Sequence, residues 1–77
     1  MNTEREVRKM KETLREFLED CLKEASACTA HKDKHHYFDM AFGGAYLMMN
    51  YVEPILWTEL NEIYEEYHAK FYEMGCL

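Results

Sequence analysis

Long hydrophobic runs are missing from this 77-residue chain. The longest, Met40 to Val52, is 13 residues with Asp39 and Glu53 at its edges, against the roughly 20 that a membrane-spanning helix needs. Proline occurs once, at Pro54, and glycine three times, so there is no Gly- or Pro-rich linker to divide the chain and one helical domain over residues 1–77 is expected. The three cysteines, Cys21, Cys28 and Cys76, are an odd number without C-x-x-C spacing, which argues against a disulfide framework. The N-terminus is charged where a signal peptide would be apolar, and with the cysteine usage this points to a reducing, cytoplasmic setting. Gly-rich phosphate loops, a nucleophile elbow and a dinucleotide fingerprint are all lacking. Acid–base work also needs two groups in a pocket that separates their pKa values, and three short helices rarely enclose one. Neither an enzyme nor a cofactor is expected.

Basic residues are scarce in the second half. Residues 1–35 hold eight basic and eight acidic side chains, whereas residues 36–77 hold one base, Lys70, against seven acids, so the formal charge of −6 resides entirely there. Binding to phosphate backbones relies on Lys and Arg displacing counterions. Arg5, Arg8, Lys9, Lys11 and Arg15 do gather at the start of the chain, but Glu4, Glu6, Glu12 and Glu16 interleave with them. No nucleic-acid partner is expected, and a basic protein would suit the charge better.

What the chain has is apolar material at helical spacing. Thr3-Glu4-Arg5-Glu6 fits a capping box, and Val7, Met10, Leu14, Phe17, Leu18, Cys21, Leu22, Ala25 and Cys28 recur every three or four residues, which predicts an amphipathic helix over about 3–30. Cys21 and Cys28, seven residues apart, then read as small core residues. Cys76 follows Gly75 and reads as an exposed thiol. Ser26 to His36 is small and polar and is expected as a turn, with Asp33 or a neighbour capping the next helix. His35 and Asp39 would share a face at i, i+4, but His31, Asp33, His35, His36 and Asp39 lack the stiff ligand frame of a zinc site. A solvated turn is the better reading, and no metal is expected.

The middle stretch, Tyr37 to Val52, predicts a helix over 34–50 that is apolar on all sides, as a buried helix would be. Phe38, Ala41, Ala45, Met48 and Val52 form one stripe, and Phe42, Tyr46 and Met49 another. Gly43 and Gly44 each disfavour helix by about 1 kcal/mol relative to Ala, so with Ala41 and Ala45 they suggest close approach of another backbone. Pro54 lacks the N–H of a helix interior and restricts Glu53. It either opens a third helix or kinks a long one, and a break is the preferred reading. Over 54–74, Trp57, Leu60, Tyr64, Tyr67, Phe71 and Met74 form a seam at three-four alternation that Leu56 and Ile63 widen, as in a heptad pattern, with Gly75 as the stop. Trp57, Tyr64 and Tyr67 could in principle line a ligand box, but the regular spacing favours core. Glu59, Glu62, Glu65, Glu66 and Glu73 lie opposite.

The expected fold is all-α: a three-helix bundle, or a helical hairpin with a Pro-kinked long second helix, self-associating because a core this small typically supplies only about 3–5 kcal/mol. Phe38, Ala41, Phe42, Gly44, Ala45, Met48 and Val52 are the expected interface of a homodimer, and Glu59, Glu62, Glu66 and Glu73 the surface for a basic partner. The expected function is a small acidic, non-enzymatic protein-interaction module, in its sharper form an inhibitor presenting carboxylates where a nucleic-acid-binding protein takes phosphates. Small acidic inhibitors of phages and mobile elements are similar in size and charge. The alternatives are a purely structural homo-oligomeric subunit and a metal- or DNA-binding regulator.

Overall fold

Three helices, α1 (Glu4–Ala27), α2 (His31–Asn50) and α3 (Pro54–Glu73), pack against one another in a computed structural model that describes residues 4–50, 52 and 54–75. Thr3 and Cys76 lie outside the described residues. Along α1 the three-four stripe does what its spacing requires: Leu14, Leu18, Cys21 and Ala25 are buried, and Val7, Met10, Phe17 and Leu22 pack beside them. The helix ends at Ala27, short of the expected Ala30. Two carbonyls of its last turn, which have no helical donor, are taken locally: Cys28 N–H donates to Ala25 O at 3.1 Å and Cys28 Sγ to Glu24 O at 3.3 Å.

α2 begins three residues before the expected 34. The Ala30 carbonyl accepts the Asp33 and Lys34 N–H groups at 3.1 and 3.2 Å, so His31 to Lys34 form the first turn and Asp33 sits within it. A carboxylate there faces the free N–H groups of the helix start, where negative charge is favoured. Polarity alone does not break a helix, and this stretch has no Gly or Pro.

Pro54 opens α3 as its first residue, the position where a missing N–H costs no hydrogen bond. α2 and α3 then run antiparallel, because Phe42 meets Tyr64 (ring centroids 4.9 Å apart) while the earlier Phe38 meets the later Phe71 (6.0 Å). The architecture is therefore the three-helix bundle and not the hairpin with a kinked long helix. At the far end Gly75 adopts φ +77°, with its N–H donating to Tyr72 O at 3.0 Å. This left-handed position is one that glycine occupies without a Cβ penalty.

The core draws on all three helices: the α1 residues above, Ala41, Phe42, Ala45 and Met49 of α2, and Leu56, Leu60, Ile63, Tyr67 and Phe71 of α3. The α3 seam is rotated from the expected one. Leu56 and Ile63 lie at its centre, whereas Trp57 is exposed and Tyr64 and Met74 are only partly buried. Among the described residues no buried side-chain polar atom lacks a partner, and no helix is long and apolar enough to cross a membrane.

Small residues in α2 bring helices together, but within one chain. Ala41, Phe42 and Ala45, expected at a contact between copies, are buried in the chain's own core, and Phe38, Met48 and Val52 pack against that core. A Cβ on Gly44 would lie 2.7 Å from Phe17 Cζ, whereas one on Gly43 would meet nothing within 4 Å. Gly43→Ala is therefore expected to stabilise by about 0.5–1 kcal/mol through helix propensity. In Gly44→Ala the same gain is offset by displacing the Phe17 ring, since overpacking typically costs about 1–3 kcal/mol. Thermal melts followed by circular dichroism should rank them Gly43→Ala above wild type and Gly44→Ala at or below it. The reverse order would contradict the packing of Phe17 on α2.

Candidate functional site

Once the bundle closes, α3 turns different sides to α1, to α2 and to solvent, and the acidic residues divide accordingly. Glu66 faces α1: Arg15 Nη1 reaches its Oε2 at 3.0 Å and Lys70 Nζ at 3.7 Å. The hydrogen bond from Arg15 holds the Glu66 carboxyl below the usual carboxylate range and raises Arg15 in turn. Both side chains are more than two-fifths exposed, so solvent screening limits the pair to about 0–1 kcal/mol. Glu59 is half-buried and lines a groove between α1 and α3 with Arg8, Lys11 and Arg15. Of the four residues expected to meet a partner, Glu59 and Glu66 thus lie beside the chain's own bases, and Glu62 and Glu73 are exposed.

Tyr67 is likewise committed to the fold. Its hydroxyl donates to Glu19 Oε2 at 2.7 Å, and Lys70 Nζ sits 4.4 Å from its ring centroid. Burial first, and then the Glu19 carboxylate, push the phenol above its ordinary value of 10. An acid whose pKa is raised on folding contributes stability that is complete below the unfolded pKa and lost as pH rises through the folded one. Urea midpoints should therefore fall above about pH 10 in wild type and less steeply in Tyr67→Phe. At neutral pH that variant should lose about 1.5–3 kcal/mol, as expected for a hydrogen bond to a charged acceptor. An unchanged alkaline slope in the variant would rule Tyr67 out as the group responsible.

Of the histidines expected in a solvated turn, all three are exposed but helical. Among the described residues His36 meets only Tyr37, while His31 and His35 lead into a row of rings that His68 of α3 joins. His31 stacks on His35 (6.1 Å), His35 on Phe38 (5.7 Å), and Phe38 and Phe42 meet His68 edge-on at 5.5 and 5.4 Å. His31 Nδ1–H donates to the Gly75 carbonyl at 2.9 Å, tying the start of α2 to the end of α3. His35 Nε2 and Asp39 Oδ2 stand 3.5 Å apart, the i, i+4 pair that the spacing gives. Among the described residues no group of three or more His, Cys, Asp or Glu side chains could hold a metal ion. The spacing 31, 35, 38, 42 was the available signal that these rings form one row.

Family models, curated proteins and solved structures offer no significant match to this chain.

Among the described residues, large apolar side chains are exposed in three places. On α2, Met40, Tyr46 and Leu47 are 45%, 59% and 60% exposed, with Gly43 open between them and His36 and Asn50 exposed at either end. Met40, Gly43 and Leu47 follow the three-four spacing of one helical face. Trp57, 41% exposed, lines a cleft of about 370 Å³ at the α2–α3 junction with Met49, Asn50, Val52, Pro54 and Thr58. On the outer side of α3, Tyr64, Glu65, His68, Ala69, Tyr72 and Glu73 line an open groove of about 520 Å³. Trp57, Tyr64 and Tyr67 do not form one box: Tyr67 bonds to α1, Tyr64 packs on Phe42, and Trp57 sits at the junction.

Proposed function

We propose that this chain is an acidic, non-enzymatic protein-interaction module of the cytoplasm. In this reading it pairs with a second copy through the outer stripe of α2 and leaves the outer face of α3 to a basic protein. The observation that supports it is the position of Met40, Tyr46 and Leu47: three of the five exposed large apolar side chains among the described residues lie on α2. A two-fold crossing centred near Gly43 would set Met40 of each copy beside Leu47 of the other, the self-complementary arrangement a symmetric dimer requires. Two copies carrying −6 each repel on average, and between His36 and Asn50 this helix carries one acidic residue, Asp39. This face therefore adds little repulsion of its own to the contact.

The sharper form of the proposal is an inhibitor whose exposed carboxylates occupy a basic surface that otherwise takes nucleic-acid phosphates. Sedimentation velocity tests the self-association step. Wild type should sediment as a dimer at micromolar concentration, and Leu47→Glu, which alters an exposed position, should sediment as a monomer with unchanged helical circular dichroism. A wild type that stays monomeric up to hundreds of micromolar would overturn it.

A further inference from the structure

The groove on the outer side of α3 combines rings, carboxylates and an unfilled floor in a way that selects one kind of side chain. Tyr64 and His68 stack with their planes 16° apart, and His68 is held from behind by Phe38 and Phe42, so one wall is a fixed aromatic surface. Tyr72 continues that wall one turn on and is 67% exposed. Glu65 and Glu73 form the opposite rim with Ala69 between them, and the small Ala69 leaves the floor open. None of the chain's described bases pairs with Glu65 or Glu73, whereas Glu66 on the α1 side has both Arg15 and Lys70. The groove also lies in the last turns of α3, where the helix carbonyls add partial negative charge that favours a cation.

We infer that this groove receives an arginine side chain of a basic protein partner. A guanidinium is planar, stacks on aromatic faces and presents paired donors to a carboxylate, so it matches a site that offers a ring and a carboxylate side by side. An ammonium is a compact, strongly hydrated point charge and matches only the carboxylates. The inference rests on the reading of the chain as an interaction module and names the chemistry of its partner-facing side.

The test uses the full chain and three blocked pentapeptides, Gly-X-Gly-X-Gly with X as arginine, lysine or the uncharged isostere citrulline, followed by amide chemical-shift mapping at low salt. With the arginine peptide, saturable shifts should centre on residues 64–73. Lysine should bind at least fivefold more weakly, and citrulline should give no saturable shift. Tyr72→Ala and Glu65→Gln should each weaken the arginine peptide about tenfold, in line with one cation–ring contact or one charge-assisted pair, and Tyr72→Phe should restore binding because the ring is retained. Glu16→Gln, which removes the same charge from α1, should leave affinity unchanged. The inference is overturned if shifts spread evenly over the acidic surface, if lysine binds as well as arginine, if Tyr72→Ala is neutral, or if no shift appears. These variants alter exposed side chains, and unchanged circular dichroism confirms the fold in each. A silent groove on a chain that still dimerises defeats this inference alone. A working groove on a monomer defeats only the self-association reading.

Discussion

Phe71→Ala is expected to leave the chain largely unfolded at 25 °C. Phe71 is 0% exposed and among the largest fully buried side chains, and its ring lies edge-on to Phe42 at 5.3 Å and to Phe38 at 6.0 Å. Replacing a buried phenylalanine by alanine typically costs about 3–5 kcal/mol, through lost transfer free energy and the cavity left behind. A core of this size typically supplies only about 3–5 kcal/mol in total. The expected loss is therefore comparable to the whole stability, and helical circular dichroism should show it without denaturant. Phe71→Leu, which keeps much of the volume, should remain folded with a lowered urea midpoint. A Phe71→Ala protein whose unfolding free energy lay within about 0.5 kcal/mol of wild type, the range of ordinary surface substitutions, would mean that the α2–α3 seam is not packed as described.

The same seam shows where the sequence was legible and where it was not. α1 was legible nearly residue for residue, because one side faces the core and the other faces water, so the pattern of apolar residues is the pattern of burial. Gly75 and Pro54 were legible because each has a backbone property fixed by its covalent structure. α2 resisted for a physical reason: a helix wedged between two others buries two sides, and composition does not reveal how many neighbours there are. Its excess of apolar residues suggested a second molecule over Ala41, Phe42 and Ala45, whereas α1 and α3 cover these and leave Met40, Tyr46 and Leu47 outside. The histidine stretch carries two conflicting signals: its polar composition predicts a turn, whereas the spacing of His31 and His35 continues the row of Phe38 and Phe42. The division of the acidic face had no local signal. Arg15 and Glu66 are 51 residues apart, and whether they meet depends on how α1 and α3 are rotated about their own axes.

Ala45→Leu separates packing within a chain from packing between chains. Ala45 is fully buried on the side of α2 that faces the bundle interior, so a leucine there adds three carbons to space that is already filled. Forcing extra methylenes into a packed core typically costs about 1–3 kcal/mol, a large share of the stability that a small core supplies. The expected result is a lower urea midpoint together with loss of cooperativity in the thermal melt. Leu47→Glu, two residues on and so on the opposite side of the helix, should leave the midpoint of the monomer almost unchanged. If Ala45 instead lay where α2 meets a second copy, Ala45→Leu would alter the sedimentation coefficient at concentrations where the fold is intact, and Leu47→Glu would not. The two variants exchange phenotypes between the two arrangements. Measuring both by urea titration and by sedimentation therefore assigns each side of α2 to the interior of one chain or to its outer surface.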